Sequence, residues 1–427
     1  MSISLADLQK RRPPSLTRPD DHPATREPTY MVATGFECSY PTVQGGKRRD
    51  ELEGTRHYEL WRDDFELCRN IGARYIRYGI PYYRTHLGPG RYDWSFADEV
   101  LPHIWDRGLI PIVDLCHFGV PDWVGSFQNT DWPPHFAEYC AAFAERYPWI
   151  KFYTPVNEML VCAHFSAKVG AWNEQEKSEK SFIRAHANQC RATLLGIAEI
   201  LKRRGDAVFI QSEVAEAYVQ LAPEAKATAD FHNQFRFLTF DHLYGRAPDG
   251  EVQRHLLEHG LRDDELRWFL EHGKHAAPHC IMGMDYYDAN EKVVKADGTL
   301  ESQGQMLGWH AIANDYYLRY QRPMMLTETN SVDLGAGESA TWLKQTWSQA
   351  HHLRRQGVPM IGFTWYSLTD QIDWDIQIVE IRGNVTPNGL CTLDRKLRKV
   401  GELFRDIARQ NASAQVIQGV PTGLLTH

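Results

Sequence analysis

The sequence predicts an α/β fold: a (β/α)8 barrel of the TIM type, in a single domain with extended βα loops. Two observations predict it, and a third removes its main rival. Short apolar runs alternate with segments of helical spacing, eight of each, and such alternation builds a parallel sheet with its helices outside. The eight units fill about 380 residues, the span of a closed barrel with insertions. No Gly-rich phosphate loop follows the first apolar run, which counts against an open doubly wound sheet.

The elements follow in order. Residues 1–28 are polar and rich in Pro and Arg, and read as an arm over the surface. The barrel is expected over 29–411 and a tail over 412–427. Residues 30–36 form the first strand, ending near Glu37. Tyr58, Trp61, Phe65 and Cys68 lie on one helical face over 57–71, closed by Gly72. A strand over 74–80 and a helix over 95–107 come next. The strand over 109–115 carries Pro111 near its start, where a missing N–H is tolerated. A helix over 134–146 leads to a strand over 150–156. The second half repeats the theme with a helix over 179–204, a strand over 207–212, two or three helices within 224–273 and a strand over 279–285. Helix 304–320, strand 323–327, helix 338–356, strand 358–365 and a helix over about 396–410 complete it.

Composition narrows the function. A net charge of -8 gives no basic stripe for nucleic acid. No run approaches the length of a membrane span. Residues 1–12 carry no apolar stretch, so no secretory leader is expected. The eight cysteines are scattered without a C-x-x-C pair; reduced thiols and a cytoplasmic protein are expected.

Chemistry gathers at the strand ends. In barrels of this type they meet at one face, and here they carry Glu37, Arg77, His117, Asn157, Glu158, Glu213, Asp285, Tyr287, Glu328, Asp370 and Asp373. Glu158 follows the fourth strand and Glu328 the seventh, so the two carboxylates meet across the mouth. Glycoside hydrolysis needs such a pair, one to protonate the leaving oxygen and one to attack or to activate water. A gap near ~5 Å gives retention and one of roughly 6.5–9.5 Å gives inversion. No metal or cofactor is expected. The histidines at 255, 259, 272, 275 and 279 have helical spacing but no H-E-x-x-H, and suit a solvated face. Gly335 and Gly337 read as a turn, and no G-x-S-x-G elbow occurs.

Six stretches, in order, resemble the motifs of glycoside hydrolase family 1. Tyr75-Ile76-Arg77-Tyr78-Gly79-Ile80 resembles Y-R-F-S-I, and Leu115 through Trp123 resembles L-x-H-W-D-x-P-x-W. Thr154-Pro155-Val156-Asn157-Glu158-Met159 is similar to T-x-N-E-P, and Gly283 through Tyr287 to G-x-N-Y-Y. Leu326-Thr327-Glu328-Thr329-Asn330 resembles I/V-T-E-N-G, and Trp365 through Trp374 resembles W-S-L-x-D-N-F-E-W.

The resemblance implies a retaining exo-β-glycosidase, β-glucosidase-like, acting on a small β-glycoside or oligosaccharide. A transglycosylase with the same pair and a non-catalytic sugar-binding barrel are the alternatives. It implies Glu328 as nucleophile and Glu158 as acid/base. Asn157 and His117 would bind sugar hydroxyls, Arg77 and Tyr287 would flank Glu328, and Trp374 would lie beside the sugar. Arg77 would keep Glu328 ionised, while burial without a cation would raise Glu158.

Several positions depart from the motifs. Met159 replaces Pro, and Thr329-Asn330 replaces Asn-Gly. Asp285 stands where Asn is usual, and Asp373 where a glycone-binding Glu is expected. Trp365 and Tyr366 both fall near the Trp beneath the sugar, and an ungapped match puts Tyr366 there. On the first strand, Gln44 or Glu37 substitutes for the usual Gln. The aglycone side is expected from 160–178, with Trp172 as its platform.

Overall fold

The computed structural model describes residues 30–411; the expected arm over 1–28 and tail over 412–427 lie outside the described residues. Eight parallel strands close a barrel: β1 Met31–Gly35, β2 Tyr75–Gly79, β3 Ile110–Asp114, β4 Phe152–Thr154, β5 Val208–Val214, β6 Cys280–Asp285, β7 Met324–Glu328 and β8 Met360–Trp365. Strand order around the barrel is chain order, and β1 pairs with both β2 and β8 to close it. Every barrel strand is buried along its whole length, which is why these strands read as continuous apolar runs rather than alternations.

The pleat explains where the chemistry sits. Tyr75, Ile110, Ile112, Phe152, Val208, Ile210, Ile281 and Met325 share one apolar cluster. Stepping by two residues keeps a side chain on the same face. From these positions the step leads to Arg77, Asp114, Thr154, Ser212, Asp285 and Thr327. One face of the sheet is therefore apolar toward the start of the strands and polar at their carboxyl ends.

The helices follow the expected order, with ends within a few residues: His57–Asn70, Ser95–Asp106, Trp132–Arg146, Glu179–Arg203, Trp309–Tyr320, Glu338–Arg355 and Lys399–Gln410. Ser178 caps the helix Glu179–Arg203, its hydroxyl accepting from the Ser181 N–H at 3.0 Å. Four helices, not two or three, fill the β5–β6 connection: Lys226–Phe235, Leu238–Tyr244, Gly250–Glu258 and Asp263–Ala276. That connection also holds strand Ala217–Gln220, parallel to Glu291–Val294, which pairs antiparallel with Leu300–Ser302. Such short loop strands lack the length to show a period in sequence.

Of the helical histidines, His275 is exposed as expected, while His255 and His272 are partly buried and partnered. His255 Nε2 lies 3.0 Å from Glu179, and His272 stacks on Trp268 with ring centroids 4.0 Å apart. All eight cysteines are buried and unbridged. No helix among the described residues is long and apolar enough to cross a membrane.

Candidate active site

Glu328 closes β7 and is 3% exposed. Arg77, in the middle of β2, forms an ion pair with its Oε1. The Tyr287 hydroxyl donates to its Oε2 at 2.7 Å. The second arm of Arg77 donates to Asp114 Oδ2 at 2.9 Å and to the Asn157 carbonyl oxygen. That contact fixes the Asn157 amide, which must then present Nδ2 to His117 Nε2, 3.0 Å away. His117 Nε2 is therefore the acceptor, and Nδ1 carries the proton toward Asp114 Oδ2 at 2.8 Å. One hydrogen-bonded chain thus runs from Tyr287 through Glu328, Arg77 and Asn157 to His117.

Glu158 is held differently. Pro155 follows the end of β4, and Glu158 sits in the left-handed region with φ 36° at the start of helix Met159–Ala163. Its N–H donates to the Ser212 carbonyl at 3.0 Å. Its carboxyl is 6% exposed, and no protein group among the described residues hydrogen-bonds to it. Oxygens of Glu158, Asp285 and Glu328 all lie within 4.8 Å of one another. Burial pushes Glu158 well above the usual carboxylate range, and Asp285, Glu328 and Glu213 add to the push. Glu213 lies behind it, accepting from the N–H groups of Leu160 and Val214 at 3.2 and 2.9 Å; burial lifts it to about 7.

The sequence-predicted sugar readers divide. His117, Asn157, Arg77, Tyr287, Asp285 and Tyr366 come together with the carboxylate pair. Tyr366 lies parallel to His117, ring planes 5° apart and centroids 6.2 Å apart, with its hydroxyl on the Phe36 carbonyl at 2.7 Å. Gly35 permits this, since a Cβ there would fall 2.7 Å from the Tyr366 ring. Trp365, one residue earlier, points to the opposite face and donates to the Asn388 carbonyl at 3.1 Å. It is packed in the core, whereas Tyr366 lies beside His117 and Arg77.

Gln44 does not join the cluster. It lies exposed in the turn Gln44–Gly46, several residues beyond the strand end. Glu37 takes the place beside His117, with Oε1 3.9 Å from Nε2. Ser39 holds Glu37 from its N–H at 2.9 Å and from its hydroxyl. Gln371 approaches Glu37 at 3.4 Å and accepts from Asn388 at 2.6 Å. Sequence reading missed Gln371; its only signal was its place just after Asp370, in the loop that follows β8.

Asp373 also departs from expectation. It has φ 58°, and its two oxygens accept the backbone N–H groups of Arg382, Gly383 and Asn384 at 2.9, 2.9 and 2.7 Å. Its carboxylate ties a loop together rather than facing the cluster. Trp374 is half-buried, and its ring centroid lies 6.2 Å from that of Phe118. Trp172 is no exposed platform. It is fully buried, stacked on Phe165 at 4.6 Å, and donates to the Gln377 carbonyl at 3.1 Å.

Known proteins resemble this chain in sequence and in fold. A profile described as Glycosyl hydrolase family 1 matches residues 39–243. Beta-glucosidase A of Thermotoga maritima is 22% identical over 361 residues, covering 74% of this chain and 78% of that protein. Over residues 39–243 the chain is similar to glycosyl hydrolase family 1. A 1,4-beta-D-glucan glucohydrolase of Thermotoga neapolitana is likewise 22% identical, over 74% of this chain and 82% of its own. The solved family 1 β-glucosidase from Thermotoga maritima superimposes with a TM-score of 0.75 at 17% identity, over 90% of this chain and 98% of that one. Its complex with deoxynojirimycin gives 0.77 over 91% and 99%. Within the family 1 motifs, the departures at 285, 366 and 373 are those whose geometry is described above.

Proposed function

We propose that this protein is a retaining exo-β-glycosidase, β-glucosidase-like, acting on a small β-glycoside. The observation that carries the reading is the approach of Glu158 and Glu328 oxygens within 4.8 Å, a spacing that suits double displacement and leaves no room for the intervening water of inversion. In the first step Glu328 attacks the anomeric carbon. The bond to the leaving oxygen breaks, and Glu158 gives that oxygen its proton. In the second, Glu158 takes a proton from water, the water oxygen bonds the anomeric carbon, and Glu328 leaves.

The surrounding residues fit these roles. Tyr287 and Arg77 orient Glu328. Asn157 and His117 present hydrogen-bonding edges to the hydroxyls next to the anomeric carbon. Glu37 and Gln371 extend the polar wall, and Tyr366 and Trp374 supply ring surface for the sugar. The relatives named β-glucosidase, and the solved relative bound to deoxynojirimycin, support a small sugar ligand. The 29–411 barrel works as one domain, and unbridged buried thiols suit a reducing cytoplasm.

The test is a panel of nitrophenyl β-glycosides with the first-formed anomer followed by NMR. Turnover giving the β-anomer first is expected. A first-formed α-anomer would overturn retention. No turnover beside measurable sugar binding would make the barrel a binding module.

A further inference from the structure

Glu158, Asp285 and Glu328 are all buried, each with an oxygen within 4.8 Å of the other two. One guanidinium serves them. Arg77 bonds Glu328 directly, but its other arm is committed to Asp114 and Asn157. Three ionised carboxylates buried this close together beside one shared cation repel strongly, so at least one of them holds a proton. The family motif has only two acids here, because the position of Asp285 is ordinarily a neutral Asn.

Asp285 is firmly built in. It ends β6 and pairs with Glu328 in the β6–β7 register. The Ser212 hydroxyl lies 2.8 and 2.7 Å from its two oxygens, and the Thr327 hydroxyl donates to Oδ1 at 2.6 Å. Ser212 also accepts the Glu158 N–H on its carbonyl at 3.0 Å, so one residue ties the two acids together. Tyr287 and Arg77 occupy the Glu328 oxygens, and the two hydroxyls occupy those of Asp285. A metal ion would have to displace them.

We infer that Asp285 and Glu158 hold one proton between them, so that the pair, rather than Glu158 alone, is the acid of the first step. Asp285 is then a positioning residue, and the inference rests on the glycosidase reading above. Its chemistry balances. Before reaction the pair carries one negative charge and Glu328 another. After the proton goes to the leaving oxygen, the pair carries two and the esterified Glu328 none, so the charge of the cluster does not change. Water then returns a proton to the pair as its oxygen bonds the anomeric carbon.

The charged and titratable surroundings point the same way. Glu158 is faced by Glu213 from β5, His117 from beyond β3 and Tyr287 from beyond β6. Asp285 is faced by Arg77 from β2 and Glu328 from β7. Burial lifts Asp285 well above the usual range and Glu328 adds to it, with Arg77, Ser212 and Thr327 pulling back.

The variant Asp285→Asn restores the family's residue at nearly the same shape. The pH profile of kcat/KM on nitrophenyl β-glucoside is measured, together with infrared titration of the carboxylic-acid C=O band in the free protein. Removing the neighbouring acid lowers the last proton loss of Glu158. The alkaline limb is expected to move down by about one pH unit or more, and the acid band with it. If the wild type is active and neither limb nor band moves, this inference fails while the glycosidase reading stands. If the wild type turns over no β-glycoside, that reading fails and the band alone decides the shared proton. Activity lost to a chelator and restored by one divalent metal would assign the cluster to a cation and overturn the inference.

Discussion

Glu158 and Glu328 are the same side chain at the ends of two strands facing one mouth, and their surroundings are opposite in kind. Glu328 has a guanidinium on one oxygen and a phenol on the other. Glu158 has neither; its nearest charged company is carboxylic, from Asp285, Glu328 and Glu213. Donors on a carboxylate favour the charged, attacking form. Burial among other acids favours the protonated form. The difference teaches that the role of each glutamate is written in its neighbours, since the two residues themselves are identical.

The strongest way to break the comparison is to delete the attacking side. Glu328→Ala is expected to lower kcat by at least about 10⁴-fold. Azide then partly restores turnover by attacking from the vacated face, giving the α-glycosyl azide, which NMR identifies. Unimpaired turnover in that variant would show that Glu328 is no nucleophile.

Deleting the other side has a smaller effect and a different signature. Glu158→Ala removes proton donation, a contribution of typically about 10²–10⁴-fold. The loss in kcat/KM falls on alkyl glycosides, whose leaving oxygen needs the proton, and largely spares dinitrophenyl glycosides, whose kcat instead becomes limited by the second step. Azide now enters at the glycosyl-enzyme step and gives the β-glycosyl azide. Equal losses on both leaving groups would remove the acid assignment while leaving the nucleophile in place.

The same contrast decides what the sequence made legible. The barrel was readable because burial on both faces leaves apolar runs of strand length between helical segments. Arg77, Asn157, Glu158, Tyr287 and Glu328 were readable because each stands in a barrel strand or within four residues of its carboxyl end, inside a stretch that resembles a family 1 motif. Reading weakened wherever a loop sets direction. Asp373 lies well past the end of β8 at Trp365, and a left-handed φ turns its carboxylate onto three backbone N–H groups. Gln44 and Glu37 were equal candidates in sequence, and only Glu37 adjoins the end of β1. Trp172 has the composition of a sugar platform, but packing against Phe165 and a bond to Gln377 bury it. Nothing in a residue list distinguishes an indole that lines a cleft from one that supports its wall.

The smallest expected effect tests the acid side without touching the reacting atoms. Glu213 lies behind Glu158 and accepts the Leu160 N–H, two residues on. Its carboxyl rises from an ordinary 4.5 to about 7, with burial as the leading cause and Thr239 and the two backbone donors opposing it. The folded state therefore binds this proton more tightly than the unfolded chain does. Its contribution to stability is complete below pH about 4.5 and is lost as pH rises through about 7. Glu213→Gln keeps an acceptor for Leu160 and cannot ionise. Urea denaturation at pH 5 and pH 8 is expected to show the wild type losing more stability across that interval than the variant, by up to about 3 kcal/mol. The alkaline limb of kcat/KM should fall slightly, because one acid fewer crowds Glu158. A variant whose stability falls with pH as steeply as the wild type would mean that Glu213 is already ionised in the folded protein and presents its charge to Glu158 across that whole interval.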